Sequence, residues 1–235
     1  MIDIHSHILP GVDDGARTFE DSVRIVKWLA MQGVTDVIAT PHYVNETEYV
    51  SLRAQNLSLL IKLMKELKSE NIGVNLYLGN EIYIDRNVAE LLRLRKISTL
   101  ADSKYLLVEL PLNDEYPDWE DILMDLMARG YRVVLAHPER YAIVQKDYEI
   151  IKRLHDAGIL LQCNLASLVG RYGKSAQKII RKLAKDKMIF AFGSDVHRCG
   201  RSDYLVLAQK KLNRYYNKRE LNQLLVVNPS RILIK

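Results

Sequence analysis

Met1-Ile2-Asp3-Ile4-His5-Ser6-His7 opens the chain as an apolar, strand-like run ending in two histidines spaced i and i+2. On an extended strand, residues two apart point to the same side, so both imidazoles can converge on one ion. Neutral imidazole is the commonest metal ligand. The loop that follows, Pro10-Gly11-Val12-Asp13-Asp14-Gly15, adds two carboxylates at a turn. Taken alone, the pair would equally suit a surface site beside an acidic turn. The rest of the chain decides, because the same chemistry returns at the end of one apolar strand after another.

Thr18-Phe19-Glu20-Asp21 has the form of a capping box, and Val23, Val26, Leu29 and Ala30 then recur at helical spacing until Gly33. Val34 to Thr40 reads as a second strand, stopped by Pro41 and followed at once by His42. An amphipathic helix from about Thr47 to Ser69 leads to a third strand, Val74 to Gly79, which delivers Glu81. After a helix around Asn87 to Arg95, a fourth strand, Tyr105 to Glu109, ends in its own carboxylate. Pro117 then fits the first position of a helix closed by Gly130. The fifth strand, Arg132 to Ala136, hands over to His137-Pro138-Glu139-Arg140, and Asp147 to Ala157 is helical. Ile159 to Cys163 is a sixth strand leading into a loop, Asn164 to Gly173, and a helix, Gln177 to Lys185. The seventh strand, Met188 to Phe192, ends in Gly193-Ser194-Asp195-Val196-His197, and two short helices and a tail from Val226 to Lys235 finish the chain. This alternation predicts an α/β fold with a parallel sheet and helices outside, in seven units. No repeat or linker divides it, so residues 1–235 read as a single domain.

Composition agrees. With 235 residues, 48% hydrophobic, the chain suits one α/β barrel. No stretch reaches the roughly 18 apolar residues of a membrane span. The start lacks a basic n-region and an apolar h-region, so no secretory signal is expected. Two cysteines make no disulfide framework, which suits a reducing cytoplasm. The net charge of +5 comes from basic helix faces at Arg93-Leu94-Arg95-Lys96, Arg181 to Lys187 and Lys210-Lys211. These faces suit solvent, or an acidic or phosphorylated partner. No aromatic–basic interleaving or zinc-finger spacing points to nucleic acid.

On this map, His5, His7, His42, Glu81, Glu109, His137, Asp195 and His197 all stand at or just past strand ends. In a closed parallel barrel those ends meet on the face that carries active sites. Five of the six histidines lie there, too many for chance; the sixth, His155, sits mid-helix and reads as an ordinary surface or boundary residue. With Asp14 the candidate ligands number nine, which suits two or three ions sharing carboxylates, of the borderline to hard kind such as Zn, Mn or Fe. Such a site activates water and clamps both oxygens of an in-line displacement, which is the chemistry of phosphate-ester hydrolysis. Arg140, Arg198 and Arg201 could present guanidinium forks to phosphoryl oxygens. A surface ion pair would explain any one of them equally well, and Arg140 is favoured because Pro138 fixes its approach. Tyr43, Tyr83 and Tyr141 flank these motifs; packing is the expected role of each, with the wall of an aromatic pocket as the alternative.

His5-Ser6-His7, Asp13-Asp14-Gly15, Thr40-Pro41-His42, Gly79-Asn80-Glu81, Glu109, His137-Pro138-Glu139-Arg140 and Gly193-Ser194-Asp195-Val196-His197 together resemble the polymerase-and-histidinol-phosphatase (PHP) superfamily. Within it, Leu9 to Ala16 and Pro229-Ser230-Arg231 look like the bacterial manganese-dependent protein tyrosine phosphatases of capsule and exopolysaccharide operons. The resemblance implies a distorted (β/α)7 TIM-like barrel with a trinuclear site. It would place one ion on His5, His7, Glu81 and Asp195, a second on Glu81, Glu109 and His137, and a third on Asp14, His42 and His197. It further implies Mn as working metal, with Fe, Zn or Mg as alternatives. The implied substrate is the phosphotyrosine tail of a membrane-associated bacterial tyrosine kinase, met by a cytoplasmic phosphatase that does not insert into the membrane. Asp14 stands where many superfamily members place histidine, which shifts that site towards harder ions. Catalytic roles fall to Arg140 and Arg201. The alternative is a histidinol-phosphate or other small-molecule phosphomonoesterase of the same fold; a nuclease and a non-catalytic metal-bound regulator are weaker rivals.

Overall fold

β1 (Ile2–Ser6) is buried at every position, its polar Asp3, His5 and Ser6 included, as a strand covered on both faces is. In the computed structural model, which describes residues 1–113, 117–199 and 204–234, it is followed by α1 (Phe19–Met31), β2 (Asp36–Ala39) and β3 (His42–Tyr43). Then come α2 (Arg53–Ser69), β4 (Asn75–Leu78), β5 (Glu81–Tyr83), α3 (Val88–Arg93), β6 (Tyr105–Glu109), α4 (Trp119–Ala128) and β7 (Arg132–Ala136). The next group is α5 (Ala142–Lys146), α6 (Glu149–Asp156), β8 (Leu160–Asn164), α7 (Leu165–Leu168), α8 (Gly173–Lys185) and β9 (Ile189–Gly193). Helices α9 (Tyr204–Leu212), α10 (Lys218–Asn222) and α11 (Asn228–Leu233) come last.

The strands pair in parallel as β1-β2-β4 and β3-β5-β6-β7-β8-β9. These two sheets are one ring. Pro41 has no N–H to give the ladder, so the second strand breaks there and resumes as β3. The third breaks beside it, and backbone bonds from Gly79 N to Ala39 O (2.8 Å) and Glu81 N to Pro41 O (3.1 Å) carry the pairing across both breaks. Bonds from Asp195 N to His5 O (2.9 Å) and His7 N to Val196 O (3.0 Å) tie the chain after β9 back to β1. Seven strand positions therefore close a distorted (β/α)7 barrel, with the seven units that the alternation predicts and the closure that the family resemblance implies.

Two buried apolar clusters hold it. The larger joins the helices to the sheet through residues such as Val26, Leu29, Leu63, Leu106, Leu135 and Leu183. The smaller contains Ile4, Ile38, Tyr105, Leu107, Val134 and Phe190, with Ile232 of α11 added to it. Alternation along β6 puts Tyr105 and Leu107 of this cluster on the same face as Glu109, and along β8 it puts Leu160 there with Gln162 and Asn164. Apolar filling at one end of a strand thus gives way to polar residues at the other.

Several boundaries differ from expectation. Thr18 does cap α1, accepting the amide of Asp21 at 3.2 Å. The second helix starts at Arg53 rather than about Thr47, because Val44 N bonds Tyr49 O (3.0 Å) and Val50 bridges Tyr43, holding that segment as a turn. Pro117 is not the first helical residue of α4; Asp118 follows it with φ of 60°, and the helix begins at Trp119. The expected loop from Asn164 to Gly173 contains α7, and α8 starts at Gly173, before Gln177. The tail is helical too, a π-helical turn at Gln223–Val227 running into α11.

Candidate metal centre

The strand ends and the acidic turn bring all nine expected ligands into one cluster, seven of them lining a cleft and His5 and His7 buried beneath it. His5 and His7 share a face at the end of β1, and their Nε2 atoms lie 3.2 Å apart. Each ring's other nitrogen faces an acceptor: His5 Nδ1 lies 2.9 Å from Gln162 Oε1, and His7 Nδ1 lies 2.8 Å from Asp13 Oδ2. With each Nδ1 facing an acceptor, both Nε2 atoms are left to point into the same small space, ready to ligate once deprotonated. Glu81 Oε2 lies 3.1 Å from His5 Nε2, 3.3 Å from His7 Nε2 and 3.0 Å from His42 Nδ1. Asp195 Oδ1 stands 3.5 Å from both His5 Nε2 and His7 Nε2.

The remaining residues extend this cluster in two directions. His137 Nε2 lies 2.9 Å from Glu81 Oε1 and 3.5 Å from Glu109 Oε1. On the outer side, Asp14 Oδ1 is 3.2 Å from His197 Nε2 and 3.6 Å from His42 Nε2. The His197 ring stacks on that of His7 with centroids 3.9 Å apart. His42 faces both groups, since its Nδ1 is also 3.8 Å from Glu109 Oε2. The turn that carries Asp13 and Asp14 needs Gly15, because a Cβ there would lie 2.3 Å from the His7 carbonyl oxygen. His155 lies apart on α6, 41% exposed.

Electrostatics push these groups in opposing directions. Burial disfavours charge on His5 and His7, yet the carboxylates outweigh it and raise both pKa values, Glu81 and Asp195 acting on His5 and chiefly Asp13 on His7. Burial likewise opposes charge on Glu81 and Asp195, but the surrounding imidazoles hold both well below the usual carboxylate range. Asp14 is lowered to about 2, chiefly by its hydrogen bond with His197. Glu109 goes the other way, to about 8, because it is buried and faces the negative charge of Glu81.

This donor set fits divalent cations. Glu81 Oε2, His42 Nδ1 and His137 Nδ1 are buried without a hydrogen bond, although Glu81 Oε2 has three imidazole nitrogens within 3.3 Å. Close donor atoms aimed at one another without bonding are what ligands of a shared ion look like. Four triads or tetrads have donor atoms within 4.8 Å of one another: His7-Asp14-His42-His197, His5-His7-Glu81, His5-His137-Asp195 and His42-Glu81-Glu109. Their overlap accommodates more than one ion. Asp13 and Gln162 hold the ring orientations, as outer partners of metal-binding histidines do.

Arg140 stands at the rim, its guanidinium nitrogen 2.9 Å from Asp195 Oδ2. The ring of Tyr172 lies under that guanidinium, 4.4 Å from its centroid, and the Tyr172 hydroxyl is 3.3 Å from the same carboxylate oxygen. Asn164 Nδ2 donates to it as well, at 2.6 Å. Arg201, the other expected phosphate ligand, lies outside the described residues. The cleft holds about 490 Å3, and Val44, Tyr49, Tyr83 and Leu112 form its walls above the polar floor. Tyr83 is thus a wall residue. Tyr43 and Tyr141 are 3% and 0% exposed and belong to the core. Sequence reading missed Gln162, Asn164, Tyr172 and Tyr49. The first two follow from alternation along β8, and Tyr49 stands in the turn after His42.

Comparison with known proteins gives this cleft its context. Residues 1–234 match the family model for capsular polysaccharide synthesis, CpsB/CapC. The chain is 35% identical to tyrosine-protein phosphatase YwqE of Bacillus subtilis over 84% of its own length and 77% of that protein. It is 31% identical to the putative tyrosine-protein phosphatase CapC of Staphylococcus aureus, over 94% and 87% respectively. A crystal structure from work on YwqE of Bacillus subtilis and CpsB of Streptococcus pneumoniae, described as metal-dependent tyrosine phosphatases, superposes with a TM-score of 0.91. That match covers 99% of this chain and 94% of the other at 31% identity. The phosphotriesterase of Mycobacterium tuberculosis, at a TM-score of 0.55 and 11% identity over 92% of this chain and 84% of that one, shares the fold alone. The resemblance carried by the ordered motifs holds over nearly the whole chain, which belongs to the CpsB/CapC family of capsular polysaccharide synthesis.

Proposed function

We propose that this chain is a metal-dependent protein tyrosine phosphatase, acting as one unit over residues 1–235. The observation that carries it is the convergence of five imidazoles and four carboxylates at and directly beneath the floor of one cleft, with Arg140 on its rim. The tyrosine phosphatases among its relatives, and the similarity to a metal-dependent one, support the same reading. His5, His7, Glu81 and Asp195 would hold one ion, Glu81, Glu109 and His137 a second, and Asp14, His42 and His197 a third. A donor set of imidazoles and carboxylates without thiolate suits Mn or Fe, with Zn and Mg as alternatives. Bound ions lower the pKa of water towards about 7 and neutralise phosphoryl oxygens during in-line displacement.

The chain's own residues do the rest. Arg140 takes equatorial phosphoryl oxygens through its guanidinium fork, while Asp195 and Tyr172 hold that fork in place. Tyr49 and Tyr83 flank the substrate's phenyl ring. A phenolate with a pKa near 10 leaves more readily than an alkoxide, so little general-acid help is needed. The substrate is a phosphotyrosine segment of a tyrosine kinase at the cytoplasmic face of the membrane, and the phosphatase meets it from the cytoplasm. Among the described residues no helix is long and apolar enough to cross a membrane.

The test is turnover of p-nitrophenyl phosphate and a phosphotyrosyl peptide by metal-stripped protein, re-supplied with Mn, Fe, Zn or Mg. Activity restored by Mn and abolished in His5→Ala/His7→Ala is the expected result. Faster turnover of histidinol phosphate than of the peptide would mark a small-molecule phosphatase instead. Stoichiometric metal binding without turnover of any ester would overturn the enzyme.

A further inference from the structure

His197 lines two adjoining spaces. One is the cleft of the metal centre; the other is a groove of about 300 Å3 on its far side, where Arg17, Arg24 and Arg198 face a single carboxylate, Asp21. Arg24 pairs with Asp21. Among the described residues the guanidinium groups of Arg17 and Arg198 have no ion-pair partner, and the groove they line carries three guanidinium groups against one carboxylate. Its position relative to the cleft is fixed. Arg198 follows His197 directly, and Arg17 follows Ala16, whose amide is bonded to the His7 carbonyl at 3.1 Å.

We propose that this groove binds carboxylate side chains beside the phosphotyrosine of the protein substrate, and so sets which phosphotyrosines are hydrolysed. The inference rests on the phosphotyrosine reading above and adds the sequence context to it. A polypeptide that places its phosphate over the metal-binding floor must leave the cleft along one of its open sides. On the His197 side it enters a polar groove whose free charges are forked donors, which match a carboxylate in two-point geometry. Arg17 stands three residues after Asp14 and Arg198 directly after His197, so both border the cleft on segments that carry candidate ligands.

The experiment compares fully metallated protein on three sets of phosphotyrosyl peptides, identical except for Glu, Gln or Lys at each position flanking the phosphotyrosine. At one or more flanking positions, wild type should favour Glu over Gln by about three- to tenfold in kcat/KM, chiefly through KM, as exposed charge pairs allow. The preference should shrink with added salt. In Arg17→Glu/Arg24→Glu the order should invert to Lys over Glu, while kcat/KM for p-nitrophenyl phosphate, which does not reach the groove, stays within about twofold of wild type. Arg17→Gln alone, which only removes a charge, should reduce the Glu preference without inverting it. Equal rates on Glu, Gln and Lys peptides, or an unchanged order in the charge-reversed protein, would overturn the groove proposal and leave the phosphatase standing. Failure on every phosphotyrosyl peptide would overturn both.

Discussion

Asp13 Oδ2 lies 2.8 Å from His7 Nδ1, so the imidazole presents only Nε2 to the centre of the cleft. The same carboxylate accepts the amides of His42 (3.1 Å) and Gly15 (3.0 Å), locking the acidic turn against two strand ends. Asp13→Asn keeps the shape but removes the charge that fixes the His7 tautomer. Metal affinity should fall by about 10- to 100-fold, as for other outer partners of ligating histidines. Titration of the stripped variant with Mn, followed by calorimetry, checks this; an affinity equal to wild type with intact secondary structure would refute it.

Metal binding should release protons, and more at pH 7 than at pH 9. Glu109 has a pKa raised from its usual 4.5 to about 8, so the metal-free protein holds that proton at neutral pH. A ligating carboxylate must give it up. His5, His7 and His42 are also raised, which adds to the release. The sign for stability follows. Between 4.5 and about 8 the native state keeps a Glu109 proton that the unfolded chain has lost, so metal-free stability falls as pH rises through that window. Calorimetry in buffers of different ionisation enthalpy reads the proton count directly. Zero release at pH 7 would contradict the prediction.

The legible part of this site is the part that topology dictates. His5, His42, Glu109, His137 and Asp195 could be grouped because parallel strands end on one face, and each follows a readable apolar run. Resumption of the second strand as β3 was not legible, since two residues are too short for any period. Gln162 and Asn164 carry no ligand chemistry, so the end of β8 looked empty although its alternation aims both inward. Tyr172, which meets Arg140, lies between α7 and α8 in a stretch expected as a loop, where no periodicity marks either the helix or the contact.

Arg140 is the guanidinium that the structure places against Asp195, backed by an aromatic ring. Arg140→Ala should lower kcat on p-nitrophenyl phosphate by about 10²- to 10³-fold, the usual cost of a preorganised charge-stabilising donor. Arg140→Lys should recover little, since an ammonium has neither the fork nor the planar face that Tyr172 supports. Metal content should be unchanged in both. A Lys variant with wild-type kcat would show that only charge matters there.

Tyr141 bridges two strand ends from inside the core. Its hydroxyl donates to Ala136 O at 2.6 Å and accepts from Leu110 N at 3.0 Å, with the side chain fully buried. Ala136 precedes His137 and Leu110 follows Glu109, so this one oxygen fixes the spacing of two candidate ligands. Tyr141→Phe removes both of these buried hydrogen bonds, which costs about 1–3 kcal/mol. For a chain of this size that lowers Tm by about 2–4 °C per kcal/mol. Because the two strand ends then relax apart, kcat should fall as well, although no ligand has been touched. A thermal melt and an assay on the same Mn-loaded sample check both, and an unchanged Tm would mean that water replaces the hydroxyl without loss.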